Sequence, residues 1–135
     1  MEAVVKPTFD AEQAPAERPA PRVLVVDDDP IVRGTIGMFL EVEGYAVQTA
    51  ADGIEALEQI ENDRPSVVLL DMRMPVMDGW AFVRELGARA IDLPIIVMTS
   101  AGDARRWAQE IGAPAYVPKP ISFPALIARI DQLSA

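Results

Sequence analysis

Three aspartates come directly after short apolar segments of the chain. Asp27 and Asp28 follow "RVLVV" (22–26), and Asp71 follows "SVVLL" (66–70). Uninterrupted runs of branched aliphatic residues favour the buried strands of a parallel sheet. If these two strands are neighbours, their carboxyl ends lie about 4.8 Å apart, and the three carboxylates converge on one edge of the sheet.

The electrostatics of such a cluster predict a bound cation. Two like charges about 4 Å apart repel by about 4 kcal/mol at an effective dielectric constant near 20, and a third carboxylate adds to this repulsion. Carboxylates, a backbone carbonyl and water suit a small hard ion that keeps part of its hydration and also binds phosphate. We therefore expect Mg²⁺ at this edge.

Two further polar residues follow later apolar segments. Thr99 lies near the end of "PIIVMTS" (94–100), and Lys119 comes directly after "AYVP" (115–118). Ten of the twelve basic residues are arginines, so a lysine at this point suggests that a compact point charge is needed. An aspartate, a hydroxyl and a lysine around a divalent cation form a site for phosphoryl transfer to the aspartate.

Alternating apolar and amphipathic segments from residue 22 onward predict the elements that position these residues. Five βα units with continuous apolar strands indicate an α/β fold, a parallel sheet covered by helices on both faces. Right-handed crossovers then give a doubly wound, three-layer sandwich, in which ligands bind at the carboxyl ends of the strands. The predicted strands are residues 22–26, 45–50, 66–70, 94–100 and 115–118, and the predicted helices follow the caps Asp29, Asp52, Asp78 and Ser122, with a short one over residues 103–111.

Composition excludes several classes of function. The chain has no cysteine and no histidine, which excludes disulfides, thiolate or histidine metal sites, and a Ser-His-Asp triad. A net charge of −9 argues against binding to nucleic acid or to an anionic membrane surface. No signal sequence and no membrane-spanning run is visible, so we expect a soluble, cytoplasmic protein. Residues 1–21 are rich in proline and alanine and predict a disordered tail before a domain over residues 22–135.

Four motifs in order, "VLVVDDDP", "VLLDMRMPVMDGW", "IIVMTS" and "AYVPKP", closely resemble the receiver domain of two-component response regulators. The resemblance covers about residues 22–133. It implies a flavodoxin-like fold with strand order 2-1-3-4-5 and makes Asp71 the phosphoacceptor. It also implies that Asp28 and Asp71 bind Mg²⁺, helped by Asp27 through water and by the backbone carbonyl of Arg73.

The resemblance also implies the remaining parts of a phosphorylation switch. Thr99 and Lys119 complete the site, Tyr116 is the aromatic switch residue that turns inward when Thr99 moves, and the Lys119-Pro120 bond is cis. The phosphodonor is a sensor histidine kinase or a phosphotransfer protein, which in the family docks near helix one. The output surface is helix four, strand five and helix five, and its target is another protein. We expect a signalling switch, rather than an enzyme, that assists its own phosphorylation and dephosphorylation. We also expect a monomer or a weak phosphorylation-dependent dimer. It is expected to act without an output domain.

Three other functions are compatible with parts of the pattern. A flavin- or nucleotide-binding protein would need a phosphate loop where the sequence has Asp27 and Asp28, and an aspartyl phosphohydrolase usually has an acid where Arg73 stands. A receiver that is never phosphorylated, acting as an interaction module, is the third.

Arg73 and Ala101 occupy the positions that in the family tune the lifetime of the phosphoryl group. Trp80 and Trp107 are interpreted as packing or partly exposed residues, with Trp107 an alternative mark of a partner face.

Overall fold

The computed structural model describes residues 20–134 of the 135-residue chain and contains one sheet of five parallel strands. The sheet order is β2-β1-β3-β4-β5, which confirms the predicted order 2-1-3-4-5. In chain order the elements are β1 (Arg22–Val26), α1 (Pro30–Val42), β2 (Ala46–Ala50), α2 (Gly53–Asn62), β3 (Val67–Asp71), α3 (Gly79–Ala88), β4 (Ile95–Ser100), α4 (Ala104–Ile111), β5 (Ala115–Lys119) and α5 (Phe123–Ser134).

The core has two halves, one on each face of the sheet. Successive residues of a strand point to opposite faces, so each strand supplies both halves. Leu24, Val26 and Leu70 belong to the half that packs with residues of α2, α3 and α4. Val25 and Leu69 belong to the half that packs with residues of α1 and α5. The fold is therefore the predicted three-layer sandwich, and β3, buried at all five positions, is its central strand.

Three aspartates begin helices as predicted. The Asp29 carboxylate accepts hydrogen bonds from the backbone N–H groups of Ile31 and Val32, and Pro30 occupies the first turn. The carboxylate of Asp52 caps α2, and that of Asp78 caps α3. These bonds satisfy N–H groups that have no partner within the helix, so they fix where each helix leaves the edge of the sheet.

The ends of some elements differ from the sequence interpretation by one or two residues. Asp71 is the last residue of β3, and Lys119 is the last residue of β5, whereas the sequence placed them just after these strands. The sheet pairing explains the difference, because Asp71 pairs with Met98 and Lys119 with Ser100 in the parallel ladder. Both side chains are thus held by strand backbone.

The predicted tail, residues 1–21, lies almost wholly outside the described residues, as does Ala135 at the other end of the predicted domain. Pro21 is described, and its carbonyl accepts a hydrogen bond from the N–H of Ala46 at 3.0 Å. This bond continues the pairing of β1 with β2 by one residue. Within residues 20–134, none of the helices is long and apolar enough to cross a bilayer.

Candidate functional site

Strand register brings the acidic residues together at the carboxyl edge of the sheet. Val26 of β1 pairs with Leu70 of β3, so the residues that follow them, Asp27 and Asp71, stand at the same level of the sheet. Asp28 lies next to them at the start of the β1–α1 loop. Carboxylate oxygens of the three aspartates all lie within 4.8 Å of one another. The convergence predicted from the sequence is therefore present.

Asp27 is fully buried, and both of its carboxylate oxygens have partners. One oxygen accepts a hydrogen bond from the backbone N–H of Asp29 at 2.9 Å, and the other lies 2.9 Å from the ammonium of Lys119. The guanidinium of Arg33 donates to the Asp27 carbonyl oxygen at 2.7 Å. A buried charge is tolerated when it is paired and hydrogen-bonded, and Asp27 meets both conditions.

Asp71 is only 6% exposed and has weaker partners than Asp27. The backbone N–H of Arg73 donates to one carboxylate oxygen at 3.4 Å, and the Lys119 ammonium lies 3.6 Å from the other. Burial raises the pKa of Asp71 to about 6, against the lowering effect of Lys119. The charges of Asp27 and Asp28 push this pKa in the same direction as burial. A cation beside Asp71 would therefore be bound favourably.

Lys119 connects the two buried carboxylates. Burial lowers the pKa of Lys119, but its hydrogen bond to Asp27 and the charges of Asp71 and Asp27 outweigh burial, so the net shift is upward. The ammonium therefore remains protonated beside the two acids. Asp27 and Lys119 are 92 residues apart in the chain, so their contact forms only when β1 and β5 belong to the same sheet.

The other predicted site residues lie around this edge. Thr99 is buried near the end of β4 and pairs with Pro118 in the ladder, one level beyond Asp71. Asp28 is exposed at the mouth of the site. Tyr116 lies on the edge strand β5 with 39% of its surface exposed, so its side chain is not part of the core. The predicted cis bond between Lys119 and Pro120 is present.

An open cleft of about 480 Å³ lies beside the acidic residues. Its floor is dense, because a Cβ atom at Gly79 would lie 2.8 Å from the Cα of Met72. Met72 and Met74 are buried and Met77 is partly buried, so all three are packing residues of this loop. The cleft is lined by Asp28, Met72, Arg73, Met74, Pro75, Asp78 and Trp80.

Sequence reasoning missed the cluster formed by Arg73, Trp80 and Trp107 next to the site. The Arg73 guanidinium lies 5.1 Å from the centroid of the Trp107 ring, and the two indoles meet edge to face with centroids 4.9 Å apart. Trp107 is 6% exposed, so it is a packing residue and does not present a face to a partner. An arginine and an aromatic residue 34 positions apart leave no local pattern that would reveal the contact.

Comparison with known proteins identifies the family. The family model for the response regulator receiver domain matches residues 23–131. The chain belongs to the response regulator receiver domains. This receiver domain is 43% identical over 114 residues to response regulator MprA of Mycobacterium sp. (strain KMS), and the match covers 83% of this chain and 50% of the relative. The chain thus spans about half the length of the curated relatives it matches.

Solved structures of receiver domains share the same fold. The Vibrio cholerae chemotaxis protein CheY4 superposes with a TM-score of 0.75 at 30% identity, covering 84% of this chain and 98% of that one. The receiver domain of Francisella response regulator 1452 has a TM-score of 0.77 at 31% identity, covering 84% and 96%. This receiver domain is therefore part of two-component signalling, and the alternative reading as a flavin- or nucleotide-binding protein is not supported.

The acidic cluster suits the ion that receiver domains typically bind. Mg²⁺ prefers oxygen ligands, and the three carboxylates offer oxygen atoms within 4.8 Å of one another. The predicted ligand set of Asp27, Asp28, Asp71 and the Arg73 carbonyl contains only oxygen donors, with no histidine or cysteine in the whole chain to favour a softer metal. The residues present thus fit Mg²⁺.

Proposed function

We propose that Asp71 accepts a phosphoryl group from a phosphohistidine donor in an Mg²⁺-dependent reaction. The observation that carries this proposal is the position of the Asp71 carboxylate, which lies at the end of the central strand beside two further carboxylates and the Lys119 ammonium. The backbone of β3 holds this carboxylate rigidly, because phosphoryl transfer requires accurate placement of the reacting atoms. The phosphohistidine lies outside this sequence, which contains no histidine.

In the proposed transfer, a carboxylate oxygen of Asp71 forms a bond to phosphorus while the bond from phosphorus to the donor imidazole nitrogen breaks. The nitrogen keeps the electron pair of the broken bond. Lys119 neutralises charge on the transferring group, and the Thr99 hydroxyl donates a hydrogen bond to one of its oxygens. Asp28, Asp71 and the Arg73 carbonyl would hold Mg²⁺, with Asp27 acting through water. The bound ion supplies charge neutralisation that these residues lack.

Phosphorylation of Asp71 then acts as a switch. The new group carries about one more negative charge than the carboxylate, by analogy with phosphate esters. It attracts the hydroxyl of Thr99 and the ammonium of Lys119. Tyr116, exposed on the edge strand next to Thr99's strand, is the side chain that turns inward when Thr99 moves. Phosphorylation shifts the population between two conformations of the surface formed by α4, β5 and α5, and the favoured conformation binds a target protein.

Several finer features belong to the same proposal. The protein assists its own phosphorylation and dephosphorylation and catalyses no other reaction. It is a monomer or a weak dimer that forms on phosphorylation. Action without an output domain remains a prediction, since the curated relatives are about twice as long as the segment they share with this chain.

The decisive experiment is labelling by a small phosphodonor such as acetyl phosphate, followed by intact mass spectrometry. We expect one phosphoryl group per chain with Mg²⁺ and none with EDTA. Asp71→Asn should abolish labelling, and the matched control Asp92→Asn, an exposed loop residue, should label normally. Persistent labelling of the Asp71→Asn protein would refute the assignment of the acceptor. A wild-type chain that is never labelled would support an interaction module that is not phosphorylated.

A further inference from the structure

Helix α4 packs on the core through one large buried side chain, Trp107, and through the partly buried Ile111. Its buried residues are Ala104, Trp107 and Ala108, of which only Trp107 is large. The N-cap residue Asp103 makes no hydrogen bond to the backbone N–H groups of the helix. Its carboxylate instead accepts hydrogen bonds from Ser100 and Arg106. Because the helix has only eight residues, its position depends strongly on what surrounds the indole.

The indole of Trp107 lies under a side chain of the phosphoacceptor loop. The guanidinium carbon of Arg73 is 5.1 Å from the ring centroid, within the range of a cation–π interaction. Trp80 packs edge-on against the same indole, and its own Nε1–H donates to Glu110 of α4 at 3.1 Å. The loop that follows Asp71 therefore contacts α4 directly through Arg73.

Arg73 is also close to the phosphoacceptor. It lies two residues after Asp71, and its backbone N–H donates to the Asp71 carboxylate at 3.4 Å. Its side chain is exposed, and none of the ion pairs among residues 20–134 includes its guanidinium. A planar guanidinium binds phosphate oxygens through two parallel hydrogen bonds, which are stronger than attraction to an aromatic face. A phosphoryl group on Asp71 would thus compete with Trp107 for the same guanidinium.

The second guanidinium near the ring differs in this respect. Arg106 lies 5.7 Å from the centroid of Trp107, but it belongs to α4 itself and pairs with Asp103. The Arg106 side chain therefore moves with the helix and does not connect α4 to the loop that follows Asp71.

We propose that Arg73 is a positioning residue that couples phosphorylation of Asp71 to α4 through Trp107. While Asp71 is unmodified, the guanidinium stays on the indole and holds the helix in place. A phosphoryl group on Asp71 draws the guanidinium away, and α4 loses this contact. The coupling rests on the proposed function, because it requires phosphorylation at Asp71, and it specifies how the signal reaches the output surface.

Trp107 fluorescence tests the coupling directly. The chain has two tryptophans, so a Trp80→Phe background leaves Trp107 as the only indole. Emission spectra are recorded before and after treatment with acetyl phosphate and Mg²⁺, and the labelled fraction is measured by intact mass. We expect phosphorylation to shift the Trp107 emission. Arg73→Gln in the same background should emit like the phosphorylated protein from the start, and labelling should then add no further shift at an equal labelled fraction.

Two matched variants separate coupling from a general structural effect. Arg106→Gln removes the other guanidinium from the same ring and should keep the phosphorylation-dependent shift. Arg73→Lys keeps a cation at the loop and should restore a shift in the same direction. A full shift in Arg73→Gln, or its loss in Arg106→Gln alone, would overturn the coupling while leaving Asp71 as the acceptor. Absence of labelling in the Trp80→Phe parent and in the wild type would overturn both proposals.

Discussion

The acidic edge of the sheet and the outward face of α1 depart from the usual burial pattern in opposite directions. At the acidic edge, Asp27, Asp71 and Thr99 are polar yet buried. On α1, Ile31 and Met38 are large and apolar, yet they are 76% and 67% exposed. Isolated exposed apolar residues are common, but buried polar groups need partners.

The difference between the two regions lies in where the partners are. Each buried charge at the acidic edge has a partner inside the chain, either the Lys119 ammonium or a backbone N–H, so removing one partner leaves a buried charge alone. The exposed side chains of α1 contribute little to folding, because they remain in contact with water. Stability is therefore sensitive to substitution at the site and tolerant of substitution on the outward face of α1.

The largest effect is expected from Lys119→Met. Removing one partner from a buried ion pair costs about 3–5 kcal/mol, and the lower end applies because the Lys119 side chain is partly open to water. We expect the free energy of unfolding in urea, measured with EDTA present, to fall by about 3 kcal/mol. Added Mg²⁺ should recover part of this loss. The exposed Arg64→Met is the matched control, and an equal loss in both variants would contradict the role of Lys119 as an internal counter-charge.

A second pair of variants tests how densely the floor of the site is packed. A Cβ at Gly79 would meet the backbone of Met72 at 2.8 Å, so Gly79→Ala should lower the free energy of unfolding by about 2 kcal/mol. Gly87 lies on the same helix and has no neighbouring atom within 4 Å of its Cβ position. Gly87→Ala should therefore stabilise the protein by up to about 1 kcal/mol through helix propensity. Equal effects at the two positions would mean that the floor yields to an added methyl group.

A third pair compares the two sides of α1. Ile36 is 2% exposed and Met38 is 67% exposed. Ile36→Val removes a single methylene and should cost about 1 kcal/mol, whereas Met38→Ala removes more atoms and should change stability by less than about 0.5 kcal/mol. Chemical denaturation of the two variants checks this order. A larger loss for Met38→Ala would show that the outward face of α1 is covered in the folded protein.

The smallest effect concerns alkaline pH. Burial, together with a hydrogen bond donated to Asp131, raises the pKa of Tyr45 from 10.0 to about 12. Because the folded state holds this proton more tightly, the contribution to stability is fully present below pH 10 and is lost as the pH rises through about 12. Absorbance titration of Tyr116→Phe, which leaves Tyr45 as the only tyrosine, should give a midpoint well above 10. A midpoint near 10 would mean that neither the burial of Tyr45 nor its contact with Asp131 persists in solution.

Local sequence signals were sufficient for the elements of the fold, whereas the strand order 2-1-3-4-5 was implied by the resemblance to receiver domains. Aspartate caps, a first-turn proline and continuous apolar strands each have a short-range physical cause, and the predicted caps at Asp29, Asp52 and Asp78 are present. The predicted strand ends differed from the observed ones by one residue, because backbone pairing continues as long as the neighbouring strand offers hydrogen-bond partners. This is why Asp71 belongs to β3 and not to the loop that follows.

The acidic residues and Lys119 were placed at one edge from the sequence, but their pairing was not. Asp27 holds the lysine at 2.9 Å, whereas Asp71 lies 3.6 Å from it, and no local pattern distinguishes the two carboxylates. The position of Arg73 over Trp107 was also beyond sequence reasoning. It depends on the packing of α4 against α3 and on a side-chain conformation selected by that packing.

The pairing of Asp27 with Lys119 has a consequence for the newly made chain. All three acids have been synthesised once residue 71 is added, but Lys119, their internal counter-charge, is added only with β5, the last strand of the sheet. A molecule that lacks β5, or whose sheet is incomplete, therefore contains Asp71 without the lysine that completes its surroundings. The acidic cluster and its counter-charge are in this way complete only in molecules in which all five strands have joined the sheet.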